Sequence, residues 1–168
     1  MNQSPRNFRG MTSCRMKSCL FLFMAITLLV AANAASAQQI DPGLRGVWKL
    51  NVEKSDFGGR PKPKMGLVNW TEHGWVLAIV TADGRLYADG AVTDQGCTLV
   101  GLPSEYSCEI QVVVPQHVRL TMRKNGSVVR VSDIELVDKN TTRTTHRITP
   151  TDGAPYVQTT IWEKETRE

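Results

Sequence analysis

Three histidines and two cysteines are the residues of this chain most suited to chemistry, and their spacing limits what they can do. His73, His117 and His146 lie far apart, and none sits in an H-E-x-x-H pattern or beside a second ligand at usable spacing. The sequence therefore points to no metal and no cofactor. His73 stands at a turn and His117 opens a strand, which reads as two solvated rings. His146 differs, because it shares one strand face with Thr142, Thr144 and Ile148. If that face points inward, it forms a polar stripe suited to orienting a ligand or to acid–base work. If it points outward, Arg143 and Arg147 point in, and the sequence leaves both readings open.

Cys97 and Cys108 remain once Cys14 and Cys19 are assigned to an N-terminal leader. In an exported protein such a pair favours a disulfide over two separate buried thiols. There is no C-x-x-C motif and no G-x-S-x-G elbow, and Gly58-Gly59 lacks the Lys-Ser/Thr of a phosphate loop. Asp133 and Glu135 share a strand face that reads as a solvated edge. Trp70, Trp75, Tyr87 and Trp162 are suited either to line an apolar cavity or to serve as plain core.

The elements that must position these residues begin after the leader. Arg6, Arg9, Arg15 and Lys17 precede an uncharged apolar run from Leu20 to Ala32, and Ala35-Ser36-Ala37 gives a small-x-small cleavage pattern. Residues 1–37 thus read as a signal peptide, too short in its apolar run for a stable membrane span of ~20 residues; a retained N-terminal anchor is the alternative. Those four bases leave with none of the 16 acidic residues, so of 20 Lys and Arg only enough remain to bring 38–168 to formal neutrality. A neutral domain argues against nucleic acid or an anionic membrane as partner. Arg119, Arg123 and Lys124 alternate with apolar residues, as on a solvated strand face.

From Leu44 onward the period is two. Leu44, Gly46, Trp48, Leu50 and Val52 share one face, and then Gly58-Gly59 and Pro61-x-Pro63 interrupt the sheet pattern. A single helical turn around 53–57 is an option. Strands are expected at 65–72, 75–81, 85–88, 98–102, 107–114, 117–124, 127–137, 141–148 and 156–165, most joined by tight turns such as Asp83-Gly84 and Asn125-Gly126. In 127–137 the apolar phase slips between Val129/Val131 and Ile134/Leu136, the mark of a β-bulge. Next-neighbour hairpins from 107 to 165 favour a meander. The expectation is one all-β domain, 38–168, folded as a single antiparallel up-and-down barrel of about 8–10 strands.

Gly46-Val47-Trp48 on a first strand resembles the G-x-W mark of lipocalin-like β-barrels. That resemblance implies that Trp48 closes one barrel end, with a late arginine, Arg147 or Arg143, capping it. No T-D-Y element is found, so the resemblance is to a lipocalin-like barrel and not to the lipocalins proper. The stretch Trp48–Pro63 (W-K-L-N-x-x-K-S-x-F-G), with the K-N-G-S-V-V-R hairpin of 124–130 and the I-W-E-K ending of 161–164, is similar to a group of uncharacterised exported bacterial proteins. This likeness implies fold and compartment only.

The leading expectation is a periplasmic or secreted bacterial protein, monomeric, with no membrane span after leader removal. It holds a small hydrophobic molecule in the lumen without catalysis. Trp48, Trp70, Trp75, Tyr87, Thr144, His146 and Trp162 are its candidate ligand-binding residues. Two further readings follow in order. One is a cell-envelope interaction protein with a filled barrel and the 60–64 segment as docking loop. The other is an acid–base enzyme built on His146 in the lumen.

Overall fold

The computed structural model describes residues 40–93 and 97–166. The leader, with its proposed cleavage pattern, lies outside the described residues. Within the unit Ala37–Glu168, ten antiparallel strands form one sheet: β1 (Gly46–Asp56), β2 (Met65–Thr71), β3 (Gly74–Val80), β4 (Leu86–Val92), β5 (Thr98–Val100), β6 (Tyr106–Val114), β7 (His117–Lys124), β8 (Ser127–Asp138), β9 (Thr141–Ile148) and β10 (Tyr156–Lys164). Their order is β5-β4-β3-β2-β1-β10-β9-β8-β7-β6. Every neighbour is a sequence neighbour except β1 and β10, which pair Leu50 with Trp162 and Trp48 with Lys164. The meander therefore rolls into a nearly closed barrel whose remaining seam lies between β5 and β6. Cys97 and Cys108 are bonded across that seam.

Alternation sorts the side chains. Val118, Leu120 and Met122 of β7, Ile134 of β8, Thr142 and Thr144 of β9, and Thr160 and Trp162 of β10 are all buried on the inner face. One end of the barrel is plugged. A 3₁₀ turn at Pro42–Leu44, capped by Asp41, buries Leu44 completely. The Trp48 indole, also fully buried, donates from Nε1 to the Leu44 carbonyl at 2.7 Å. Lys164 lies over that indole, 4.9 Å from its ring centroid, and donates to the Gly43 carbonyl. The cation at this end is thus Lys164, not the expected Arg143 or Arg147. Those two arginines lie on the outer face, paired with Glu135 and Asp133.

Three departures from the sequence reading have local causes. β1 continues through 53–56 instead of turning helical: the six residues from Asn51 to Asp56 face the three from Ile161 to Thr159 on β10, and Ser55 Oγ fills the gap by donating to the Asn51 carbonyl and accepting from Ile161 N–H. β4 extends through Asp89-Gly90 to Val92, because Gly90 has no Cβ to strike the Trp75 carbonyl, which would be 2.6 Å away. In β8 the irregularity does occur, but it lies ahead of Arg130, between the Arg123–Val128 and Met122–Arg130 pairs. Arg130, Ser132, Ile134 and Leu136 then share the inner face, and Val129 and Val131 point out, opposite to the expectation. The Asn125-Gly126 hairpin is as expected, with both residues at positive φ, 49° and 81°.

Beside the backbone loop 101–105, the disulfide is the one side-chain cross-link over the seam among the described residues. Removing it with Cys97→Ser/Cys108→Ser should lower stability by about 3 kcal/mol, the loop-closure value for its 11-residue separation. Denaturant titration of the two proteins measures this; equal midpoints would contradict it.

Candidate functional site

The barrel interior is not filled. Above the plug lies an inner chamber of about 60 Å³, lined by Val68, Trp70, Trp75, Leu77, Leu120, Ser132, Ile134, Thr142, Thr144, Trp162, Arg130 and His146. Leu77, Arg130, His146 and Trp162 also line an outer chamber of about 610 Å³. That volume is within the range of small-molecule sites. Its other walls are mainly apolar: Leu50, Phe57, Pro61, Pro63, Ile79, Ala82 and Ile148, with Thr81, Asp83, Gln158 and Thr160 as polar members. The Gly-Pro-Lys segment that breaks the strand pattern after β1 thus forms part of the rim. Gln158 anchors it by donating to the Phe57 carbonyl, and Arg60 stacks on Tyr156 at 4.5 Å.

The two sides of the lumen differ in character. On β2 and β3, Trp70 and Trp75 pair across the strands with ring centroids 6.0 Å apart. Further along β2, Gly66 leaves room for Leu50 and Trp162, since a Cβ there would lie 3.1 Å from Leu50 Cβ and 3.3 Å from the Trp162 ring. On β8, β9 and β10 the wall is hydroxyl-rich. Thr142, Thr144 and His146 point inward, which resolves the open question about the 141–148 strand. Ser132 Oγ lies 2.8 Å from His146 Nδ1, and Thr160 Oγ1 lies 3.5 Å from Nε2 and accepts from Trp162 Nε1 at 2.9 Å. Burial, and secondarily the charge of Arg130, push the His146 imidazole down to about 3. It is neutral at physiological pH. A base so weak is poorly matched to taking a proton from the Ser132 hydroxyl, which is itself 1% exposed. The pair reads as a hydrogen-bonded wall.

Of the sequence-selected residues, Trp70, Trp75, Thr144, His146 and Trp162 meet around the inner chamber. Trp48 does not line it and belongs to the plug. Tyr87 lines neither chamber; its hydroxyl donates to Asp89 Oδ2 at 2.7 Å, and burial with that bond raises its pKa. Arg130, Ser132 and Leu77 escaped the sequence reading. Arg130 and Ser132 did so because the misplaced phase of β8 put them outside.

A second polar cluster sits on the outer face. Asp133, expected at a solvated edge, is 6% exposed beneath Arg119, Arg147 and His117. Burial alone would raise its carboxyl, but hydrogen bonds from these three hold it down at about 2. The cluster ties β7, β8 and β9 together and lines neither the inner nor the outer chamber. His73 lies on an exposed turn, 3.1 Å from Glu72.

Two pH effects follow. His146 has its folded pKa below its ordinary 6.5, so it stabilises the fold fully above that value and progressively less as pH falls toward about 3. Its ¹⁵N resonances should stay those of a neutral ring at pH 5; titration near 6.5 would contradict the buried placement. Asp133 contributes above its ordinary 3.8 and loses the contribution as pH falls toward about 2. Asp133→Asn should cost about 1–2 kcal/mol at pH 7, the pKa difference discounted for its exposed arginine partners, and flatten the acid limb of the stability curve. Compared with known proteins, the chain matches no family model, no curated protein and no solved structure.

Proposed function

We propose that this protein is an exported binding protein that holds a small, largely hydrophobic ligand in its barrel lumen. The observation that carries this reading is the outer chamber of about 610 Å³ with walls of Leu, Ile, Phe and Pro, above an end plugged by Leu44 and Trp48. An unfilled apolar space costs stability relative to a packed core unless something uses it. That space favours the binding reading over a filled barrel acting only through its surface. The depressed basicity of His146 weighs against the acid–base reading.

Export is supported by the Cys97–Cys108 disulfide, which persists in oxidising compartments. No helix among the described residues is long and apolar enough to cross a membrane. The outer face of β7–β9 carries Arg119, Asp133, Arg143, Glu135 and Arg147, and charges there are costly on a lipid-facing barrel wall. These points favour a barrel that works in water.

The neutral fluorophore N-phenyl-1-naphthylamine should bind saturably, one per chain, with enhanced emission. Ile148→Trp, which projects a larger ring into the outer chamber and narrows it, should weaken binding at least tenfold, on the order of the 1.4 kcal/mol lost with a few buried methylenes. Equal binding by the two proteins would contradict a lumenal site.

A further inference from the structure

The lumen contains one full positive charge with no ion-pair partner among the described residues. Arg130 lines both chambers, at their junction. Its Nε is buried without a hydrogen-bond partner, and no ion pair or hydrogen bond joins it to any described residue. The other arginines of its own sheet region behave differently: Arg119 and Arg147 reach Asp133, and Arg143 reaches Glu135. A guanidinium drawn part-way out of water with its Nε unpaired carries a desolvation cost, and an anion that fits beside it reduces that cost.

The second unmatched group of the inner chamber has the same sense. Trp75 lines this chamber and its indole N–H is also buried without a partner. Both orphaned atoms are donors, so the guest that satisfies them brings acceptors. Around them stand hydrogen-bonding groups, Ser132, Thr144 and His146. The third orphaned atom, Asp89 Oδ1, is an acceptor, but Asp89 lines neither chamber.

The sizes match a divided ligand. The inner chamber, about 60 Å³, admits a small head group, since one water needs on the order of 15 Å³ by the same measure. The outer chamber, tenfold larger and walled by apolar side chains, takes a hydrophobic body. At the rim the segment 60–64 brings Arg60, stacked on Tyr156, and Lys64, while Lys62 pairs with Glu53 and Asp83 is the acidic residue of the lining.

Resting on the lumenal binding reading, we infer that the natural ligand is an amphipathic carboxylic acid, its carboxylate seated against Arg130 at the junction of the two chambers and its apolar body in the outer one. Guanidinium is the natural partner of a carboxylate because its planar donors match both oxygens. No bond is made or broken; the ligand is held and released.

Displacement of N-phenyl-1-naphthylamine by decanoate, decanol and decylamine, at one ionic strength and pH 7.5, tests this. These share a chain and differ in the head. Decanoate should displace the probe at concentrations 10–100-fold below decanol, the usual weight of a charge-assisted hydrogen bond, and decylamine should be weakest. Arg130→Met should bring decanoate to the level of decanol and leave decanol unchanged. Arg130→Lys keeps the charge without the fork and should lose less, which preserves the test if the methionine variant folds poorly. Equal displacement by decanoate and decanol on the unaltered protein, or an undiminished preference in Arg130→Met, overturns the inference while leaving the binding reading intact. Failure of the fluorophore itself to bind overturns both.

Discussion

The buried indole of Trp48 is the contact on which the rest of the barrel depends. Its N–H bonds to the Leu44 carbonyl, its face carries the Lys164 ammonium, and its backbone pairs with β2 on one side and β10 on the other. One side chain thus joins the entering segment, the first strand and the last strand. Pairing of first and last strands is what turns a ten-strand meander into a barrel. The same contact seals one end, so the interior has a floor and opens at the opposite side, where the segment after β1 bends across. Burial of the ring's apolar area and satisfaction of its donor work together here, the arrangement in which tryptophan stabilises most.

Above that floor the lumen has two unlike walls. β2 and β3 contribute Val68, Trp70, Trp75 and Leu77, while β8, β9 and β10 contribute Ser132, Thr142, Thr144, His146 and Thr160. The division follows from strand order, since each group of strands is contiguous in the sheet. Most polar groups of the second wall satisfy one another, which makes them tolerable inside. Arg130 on that wall, and Trp75 on the wall opposite, each keep one buried donor without a partner. The position of those exceptions, in the narrow part of the cavity, gives the interior a chemical direction: a place for acceptors below and an apolar space above.

Much of this architecture was legible in the sequence. The strands 117–124 and 141–148 appear with the expected bounds, and the Asn125-Gly126 turn has the expected backbone, because alternation and positive-φ turn residues are local signals. Trp70, Trp75 and Trp162 read in sequence as suited to cavity or core alike, and Thr144 and His146 as one of two open faces of their strand; all five border the inner chamber. Errors arose where alternation misleads. Val129 and Val131 suggest an inward face, yet the bulge lies before Arg130 and turns Arg130 and Ser132 inside. A polar residue serving the lumen looks, in sequence, like a polar residue serving the solvent. Likewise Asp133 reads as a wet edge because its burial depends on Arg119, His117 and Arg147 from neighbouring strands. The cation over Trp48 was sought among late arginines and proved to be Lys164, which the β1–β10 register places there.

The most direct test of the central claim, that an anion-tipped apolar ligand occupies the space above Trp48, is a crystal structure of the protein grown with decanoate. Density for the chain is expected between Phe57, Ile79 and Ile148, with the carboxylate within hydrogen-bonding distance of Arg130. Decanoate confined to the outer surface, with the chamber closed by repacking of Trp162 and Leu77, would contradict it.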